Sequence, residues 1–547
     1  MDNPFVVPAV VAVIVATTAI GFYGLKLART TSDFLVASRS VSPSWNAAAI
    51  GGEYLSAASF LGVAGLILKY GVDVLWYPVG FAAGYLALLL FVAAPLRRSG
   101  AFTLPDFCEV RLGSRPLRRL SSLFVVFIGW LYLLPQLQGA GLTLRTLAGT
   151  PYIVGALLVA AVVTGNVALG GMRAITFVQA FQYWLKLTAL AVPAIFLALH
   201  WQADGRPAVT PPDGATFRTT TVVTVEHAAT VTRADGSTAL VRTGDQLTFA
   251  AGEPVPQVSG VASEDGVDWL LPGEPDRDRH GLFSTYSLIL ATFLGTMGLP
   301  HVLVRFYTNP DGPAARRTTL VVLALVGAFY LLPTLYGVLG RIYTPQLLVT
   351  GRTDAVVVLL PEAALGGGLT GQLLAALVSA GAFAAFMSTS SGLLTSVAGV
   401  ISTDIVGRRS VRDFRLAAVL AGSVPAILAL NVSGLDVSQV VGLAFAVAAS
   451  SFCPLLVLGM WWRGLTAPGA AAGILVGGGA AALAVLVTVA GPSLTGWPAA
   501  LVAQPAAWTV PLAFTVMVAA SVATRRRIPA DVGTTMLRLH APEALRR

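Results

Sequence analysis

Strongly apolar runs of about twenty residues recur along most of this 547-residue chain, and nothing constrains its fold more. A run of that length, coiled at about 1.5 Å per residue, crosses the roughly 30 Å hydrocarbon core of a bilayer. Hydrophobic residues make up 55% of the sequence and charged residues 11%, whereas about a quarter of an ordinary soluble domain is charged. The class is an all-α polytopic membrane protein with the lipid bilayer as its environment. The net charge of +9 does not call for a nucleic-acid partner, because the arginines cluster in short segments between apolar runs. Cys108 and Cys453 form no CxxC and no disulfide framework. The first run carries its charges after it rather than before it, as a retained helix does and a cleaved leader does not.

Thirteen spans are expected, near 4–26, 46–69, 73–96, 118–146, 151–172, 174–199, 282–307, 317–343, 368–403, 413–432, 437–461, 466–490 and 505–524. Basic residues follow every odd-numbered span: Lys26 and Arg29, Arg97 and Arg98, Arg173, Arg316 and Arg317, Arg408 and Arg409, and Arg525 to Arg527 among them. The N-terminus is therefore expected outside and the C-terminus in the cytoplasm. A polar, acid-rich stretch at 200–281 falls on the outer side. Its TTTVVTVEHAATVT and STALVRTGDQLTFAAG alternate apolar and polar residues around turn formers, which suggests a small β-hairpin module. It is read as a surface insertion rather than a lid or partner-binding cap. The tail, 525–547, reads as a short cytoplasmic amphipathic piece.

Two spans carry helix breakers at membrane depth. The second contains IGGEYLSAAS, where Gly51 and Gly52 precede Glu53; the seventh contains ATFLGTMGLPHVLVRF, with Gly295, Gly298 and Pro300. The two run in opposite directions, five spans apart. Interrupted helices at corresponding places in two halves point to an inverted-repeat secondary transporter. Unwound backbone is tolerated in a bilayer only where it lines a cavity, and there its freed carbonyls suit a cation and its freed N–H groups an anion. The ninth span adds a hydroxyl run, Ser388 to Ser391. These hydroxyls either help ligate a hard cation or bond back to the preceding helical turn.

Several stretches resemble the sodium:solute symporters, and most closely the cation/acetate (monocarboxylate) branch. They are SDFLVASRSVSP, AAIGGEYLSAASFLGVAG, TLPDFCEVRLG, GTMGLPHVLVRFYT and VVGLAFAVAASSFCPLLVLGMWWRGLTAPGAAAGILVGG, in order and spanning nearly the whole chain except the insertion. The resemblance implies a leucine-transporter-type 5+5 inverted repeat, discontinuous in spans 2 and 7. Residues 1–45 would form an extra helix and loop, 46–199 the first repeat, 282–461 the second and 462–524 two further helices. It implies a Na⁺ site made of the carbonyls of Gly52, Leu55 and Ala385 and the hydroxyls of Ser388 and Thr389. The Ser/Thr pair is like the sodium-coupled members generally and less typical of the acetate permeases. Gln179 stands where some relatives carry an acid, which argues against an extra cation site there. No organic cofactor is implied.

Glu53 reads as the only acid and Lys186 as the only base at membrane depth, so both are candidates for proton coupling or for fixing the fold, each by anchoring backbone near the break or the two by pairing with each other. Gln179, Gln182 and Lys186 share one helix face by their i, i+3, i+7 spacing, and that face is expected to look into the bundle. Ser56, Ser59, Tyr77, Gln136, Gln138 and His301 are the candidate solute contacts, with a structural role the alternative for His301. The expected function is a Na⁺-driven symporter of a short monocarboxylate (acetate, pyruvate or propionate class) in a bacterial inner membrane. The alternatives are a proton-coupled importer, or an importer of another small solute such as proline or a sugar. No HExxH, paired-acid cluster or nucleophile elbow supports an enzyme. A transporter-like sensor is the reading from a different class, but residues 525–547 are too few for a kinase module.

Overall fold

A computed structural model describes residues 3–25, 37–209, 214–225, 228–259, 261, 268–270, 280–407, 410–430, 437–490 and 494–541. Lys26, Arg29, Arg408 and Arg409 of the charge pattern lie outside the described residues, as do Glu226 and His227 of the expected hairpin and the tail beyond residue 541.

A helix stands at each of the thirteen expected places. The first span is Val6–Leu25, the fourth Arg115–Ala148, the eighth Gly312–Tyr343, the tenth Val411–Ala429, the eleventh Val437–Trp461 and the thirteenth Ala506–Ala523. The ninth, Leu369–Val400, runs on through a π-helical turn at Ile401–Ile405. Similar turns interrupt the third span, Trp76–Ala87 to Ala93–Ser99, and the twelfth, Ala467–Gly473 to Gly479–Ala490. Spans five and six form one stretch, Tyr152–Ala203, whose 52 residues would reach about 78 Å at 1.5 Å each. Gly171 divides them: its φ of 59° lies where a side chain would strain the backbone.

The second and seventh spans are each broken. Pro43–Tyr54 stops, a π-helical turn follows at Ala58–Gly62, and Val63–Tyr70 continues. Gly281–Gly298 stops at Leu299, and Pro300–Phe306 begins a new helix. The ninth span packs on the sixth, and the eleventh on the seventh. The ninth is buried almost throughout, with Ala375, Ala382, Ala384 and Ala385 all sealed. Its small side chains admit close backbone approach from several neighbours, which is how helices associate in lipid.

The 200–281 segment holds five short strands. β1 (Thr221–Thr224) pairs antiparallel with β4 (Gln246–Phe249), and β2 (Ala229–Thr232) lies between β3 (Thr238–Val241) and β5 (Gln257–Val258). Phe217, Val223 and Phe249 make a small core that also takes in Val349 of the short helix Gln346–Thr350. The segment is more than a surface addition. Trp269 is buried, its indole N–H donates to the Ile67 carbonyl at 2.8 Å, and Arg341 stacks over its ring. The tail helix Val532–His540 also docks, burying Met536 and Leu539.

Candidate functional site

The first break falls one turn later than its glycines. Gly51 and Gly52 lie in the last turn of Pro43–Tyr54, and the chain leaves helical geometry at Leu55 (φ −75°, ψ 85°). The glycines serve close approach instead: a Cβ on Gly52 would collide with the Gln179 carbonyl, and one on Gly51 with the Tyr183 ring. That contact lays the sixth span directly against the break.

Lys186 enters through this contact. Its Nζ donates to the carbonyls of Gly52 and Leu55, the latter at 2.7 Å, and to Ser388 Oγ at 2.8 Å. Ser388 Oγ lies 2.6 Å from the Gly52 carbonyl and 3.1 Å from that of Ala385. Thr389 Oγ1 donates to the Glu53 carbonyl at 2.6 Å. The five residues expected to ligate Na⁺ are thus gathered at one break, and an ammonium holds three of their oxygens. This donor set does not fit a Na⁺ ion as it stands. A second positive charge about 4 Å from the ammonium would be opposed by about 4 kcal/mol at an effective dielectric of about 20.

Glu53 does not pair with Lys186. Its partner is Arg305, beyond the second break, whose Nε lies 2.6 Å from Glu53 Oε2, with the two side chains 0% and 1% exposed. Lys186 is therefore not the only base at membrane depth. Arg305 also reaches Thr176 Oγ1 at 2.9 Å and the Gln179 side-chain oxygen, while Gln179 Nε2 donates to the Ser388 carbonyl at 2.8 Å. Gln179, Gln182 and Lys186 are all sealed from solvent, so their shared face does look inward; Gln182 reaches Thr17 of the first span. Breaking such a buried ion pair from one side costs about 3–5 kcal/mol, which makes the pair a strong fixture of the two broken helices.

The candidate solute contacts divide. Gln136 Oε1 accepts from the Ala57 N–H at 2.9 Å, capping the donor that the first break frees. Ser56 is wholly buried beside it, and His301 meets Tyr132 edge-on at 5.3 Å, with no hydrogen-bond partner on either ring nitrogen among the described residues. Ser59 bonds the Tyr330 hydroxyl at 2.7 Å. Tyr77 packs near Phe81, and Gln138 is buried in the fourth span. What sequence reasoning missed is the aromatic wall that joins them. Phe81 lies 5.7 Å from Tyr54, 5.7 Å from Tyr330 and 5.0 Å from Phe445, and Tyr54 lies 4.7 Å from Tyr85. Spans two, three, eight and eleven each supply a ring, so no local pattern in any one of them announces the wall.

A second charged cluster ties the start of the fourth span to the end of the ninth. Arg118 Nε donates to Asp404 Oδ1 at 2.9 Å, its Nη1 reaches Glu109 at 2.7 Å and Asp106 at 3.1 Å, and Thr103 donates to Asp404 at 2.8 Å. The Arg118 guanidinium holds the Glu109 carboxyl below its ordinary range.

The sodium:solute symporter family profile matches residues 34–209 and 252–477. The chain belongs to the sodium:solute symporter family. It is 30% identical to an uncharacterized symporter, YwcA, of Bacillus subtilis, over 92% of this chain and 91% of that one. It is equally 30% identical to a monocarboxylic acid transporter of Corynebacterium glutamicum, covering 92% and 88%. Among solved structures it resembles a Na⁺-coupled sialic acid symporter in a substrate-bound outward-open state, with a TM-score of 0.63 over 94% of this chain and 98% of that one, at 16% identity. That likeness establishes the fold, the leucine-transporter type that the family resemblance implied.

Proposed function

We propose that this protein is a secondary active symporter that carries a small monocarboxylate into a bacterial cell, across the inner membrane, with a co-entering cation. The observation that carries the reading is the charge at the first break. Glu53 is neutralised by Arg305, so Lys186, when protonated, leaves one positive charge beside the break and the buried Ser56. A site of that sign, walled by aromatic rings, suits an anion with a short apolar body. The monocarboxylic acid transporter relative supports the same solute class. Family membership supports Na⁺ as the coupling cation. Ser56, Gln138, Tyr77 and His301 are the residues proposed to face the solute, with Ser59 and Gln136 holding the wall around it.

Alternating access would then move one repeat against the other about the breaks, with the Arg118–Asp404 cluster closing one end. The test is uptake of labelled acetate, propionate, pyruvate and proline into proteoliposomes, with Na⁺ and pH gradients imposed separately and together. The expected result is accumulation of a monocarboxylate above its equilibrium level only while a cation gradient lasts. Proline uptake without monocarboxylate uptake would reject the solute class. Equilibration indifferent to every gradient would reject symport.

A further inference from the structure

We propose that the ligand cradle at the first break is closed to Na⁺ in this chain, and that the Lys186 head group is its resident, tethered occupant. The inference rests on the proposed symport, and it concerns what occupies the Na⁺ site that the family resemblance implies at this break.

Three observations lead to it. An ammonium has three N–H groups, and Lys186 finds three acceptors, the carbonyls of Gly52 and Leu55 and Ser388 Oγ. Of the other two residues, the Ala385 carbonyl lies 3.1 Å from Ser388 Oγ, and Thr389 donates to the Glu53 carbonyl at 2.6 Å. A hard cation asks for several oxygens at once, and three of the five already accept from Lys186. The charge count agrees. With Lys186 protonated, Glu53, Arg305 and Lys186 sum to one positive charge in a region sealed from solvent; a bound Na⁺ would then make it two, with no second carboxylate beside the pair among the described residues to answer it.

The lysine is also built into this place rather than passing by it. It stands in the middle of the sixth span, 0% exposed, where no interface is near enough for its head to snorkel to. Gly52 packs against the Gln179 backbone two turns away on the same face, which sets the distance the lysine stem must cover. The same oxygens that would dehydrate an ion dehydrate the ammonium. With Lys186 protonated, the positive charge that binding must bring to such a site in a Na⁺-loaded cradle is here part of the polypeptide. Any Na⁺ dependence of transport then arises at other oxygens.

The proposal predicts a latent ion site. Shortening Lys186 to alanine removes the resident head group and leaves the five oxygens in place. Binding of ²²Na⁺ to the purified full-length protein is the direct measurement, with N-methylglucamine as the inert cation and no solute present. Wild type should show no saturable Na⁺ binding that Ser388→Ala alters. Lys186→Ala should gain saturable binding, at least about tenfold tighter than wild type, and Lys186→Ala/Ser388→Ala should lose it. Saturable binding to wild type that Ser388→Ala abolishes would overturn the proposal, as would a folded Lys186→Ala protein that gains nothing. If Lys186→Ala does not fold, the wild-type and Ser388→Ala pair decides alone, with unchanged Na⁺ binding supporting the proposal and its loss rejecting it. Because no solute enters the assay, failure of monocarboxylate uptake leaves this result standing, and Na⁺ in the cradle would leave symport standing.

Discussion

The two broken helices solve one problem in opposite ways. At the first break neither glycine nor proline occupies the turn: Leu55 and Ser56 do. Its loose carbonyls and N–H are held from outside, by Lys186 of the sixth span, Thr389 of the ninth and Gln136 of the fourth. At the second break the chain's own chemistry sets the turn. Leu299 is extended (φ −70°, ψ 115°), as a residue before proline prefers, and Pro300 opens the next helix. Gly295 and Gly298 press the helix before the turn against the Phe445 and Ala448 carbonyls of the eleventh span. One break is specified by partners in trans, the other by local sequence and fit. Changes in distant residues should therefore disturb the first, and changes in place the second.

The largest effect is expected where the two breaks are tied together. Arg305→Ala leaves Glu53 charged and buried, and should cost about 3–5 kcal/mol in denaturation of the purified protein. Adding Glu53→Gln should restore part of that loss, because a neutral amide needs no counterion. A stable Arg305→Ala protein would show that Glu53 finds its compensation elsewhere, and the link between the breaks would dissolve. Next in size is Gly298→Ala. Its new Cβ points into the Ala448 carbonyl, and such overpacking costs about 1–3 kcal/mol. The matched change at the other break, Ser56→Ala, removes a buried hydroxyl that has no hydrogen-bond partner among the described residues, and should cost less than about 1 kcal/mol in stability while lowering solute uptake. If Gly298→Ala were as mild as Ser56→Ala, the second break would not depend on local fit.

Much of this arrangement was legible in the sequence because lipid imposes simple rules. Length and hydropathy placed thirteen helices, and Gly and Pro in the seventh span marked its break to within a residue. The i, i+3, i+7 spacing of Gln179, Gln182 and Lys186 identified a face that is indeed buried. The failures share a physical origin: each depends on what meets across space. Gly51 and Gly52 advertised a break but serve packing, since a glycine reads the same whether it frees φ or admits a neighbour. Arg305 sits one residue before its helix ends, where a basic residue ordinarily reaches for the interface. A signal was available. Glu53 precedes its break and Arg305 follows its own, so two helices of opposite direction carry both to the same half of the membrane. The aromatic wall had no such signal, because Tyr54, Phe81, Tyr330 and Phe445 lie far apart in sequence. Trp269 was hidden in an acid-rich segment whose composition says surface.

The smallest expected effect separates two causes that coincide at the second break. Proline at the first position of a helix lacks only an N–H that would be unpaired there anyway, and its fixed φ already matches the helix. Pro300→Ala therefore removes little from the folded state, and frees the unfolded chain by about 0.4–1 kcal/mol. If close packing of Gly298 on the eleventh span is what holds the turn, stability should fall by no more than that, and uptake should be nearly unchanged. If proline alone prevents the two halves from joining, alanine would let residue 300 donate to a carbonyl of the preceding turn, the helix would run through, and His301 would rotate away from Tyr132. Uptake would then collapse while stability held or rose. Measuring both on one variant tells the cases apart, because the two causes move stability and transport in different proportions.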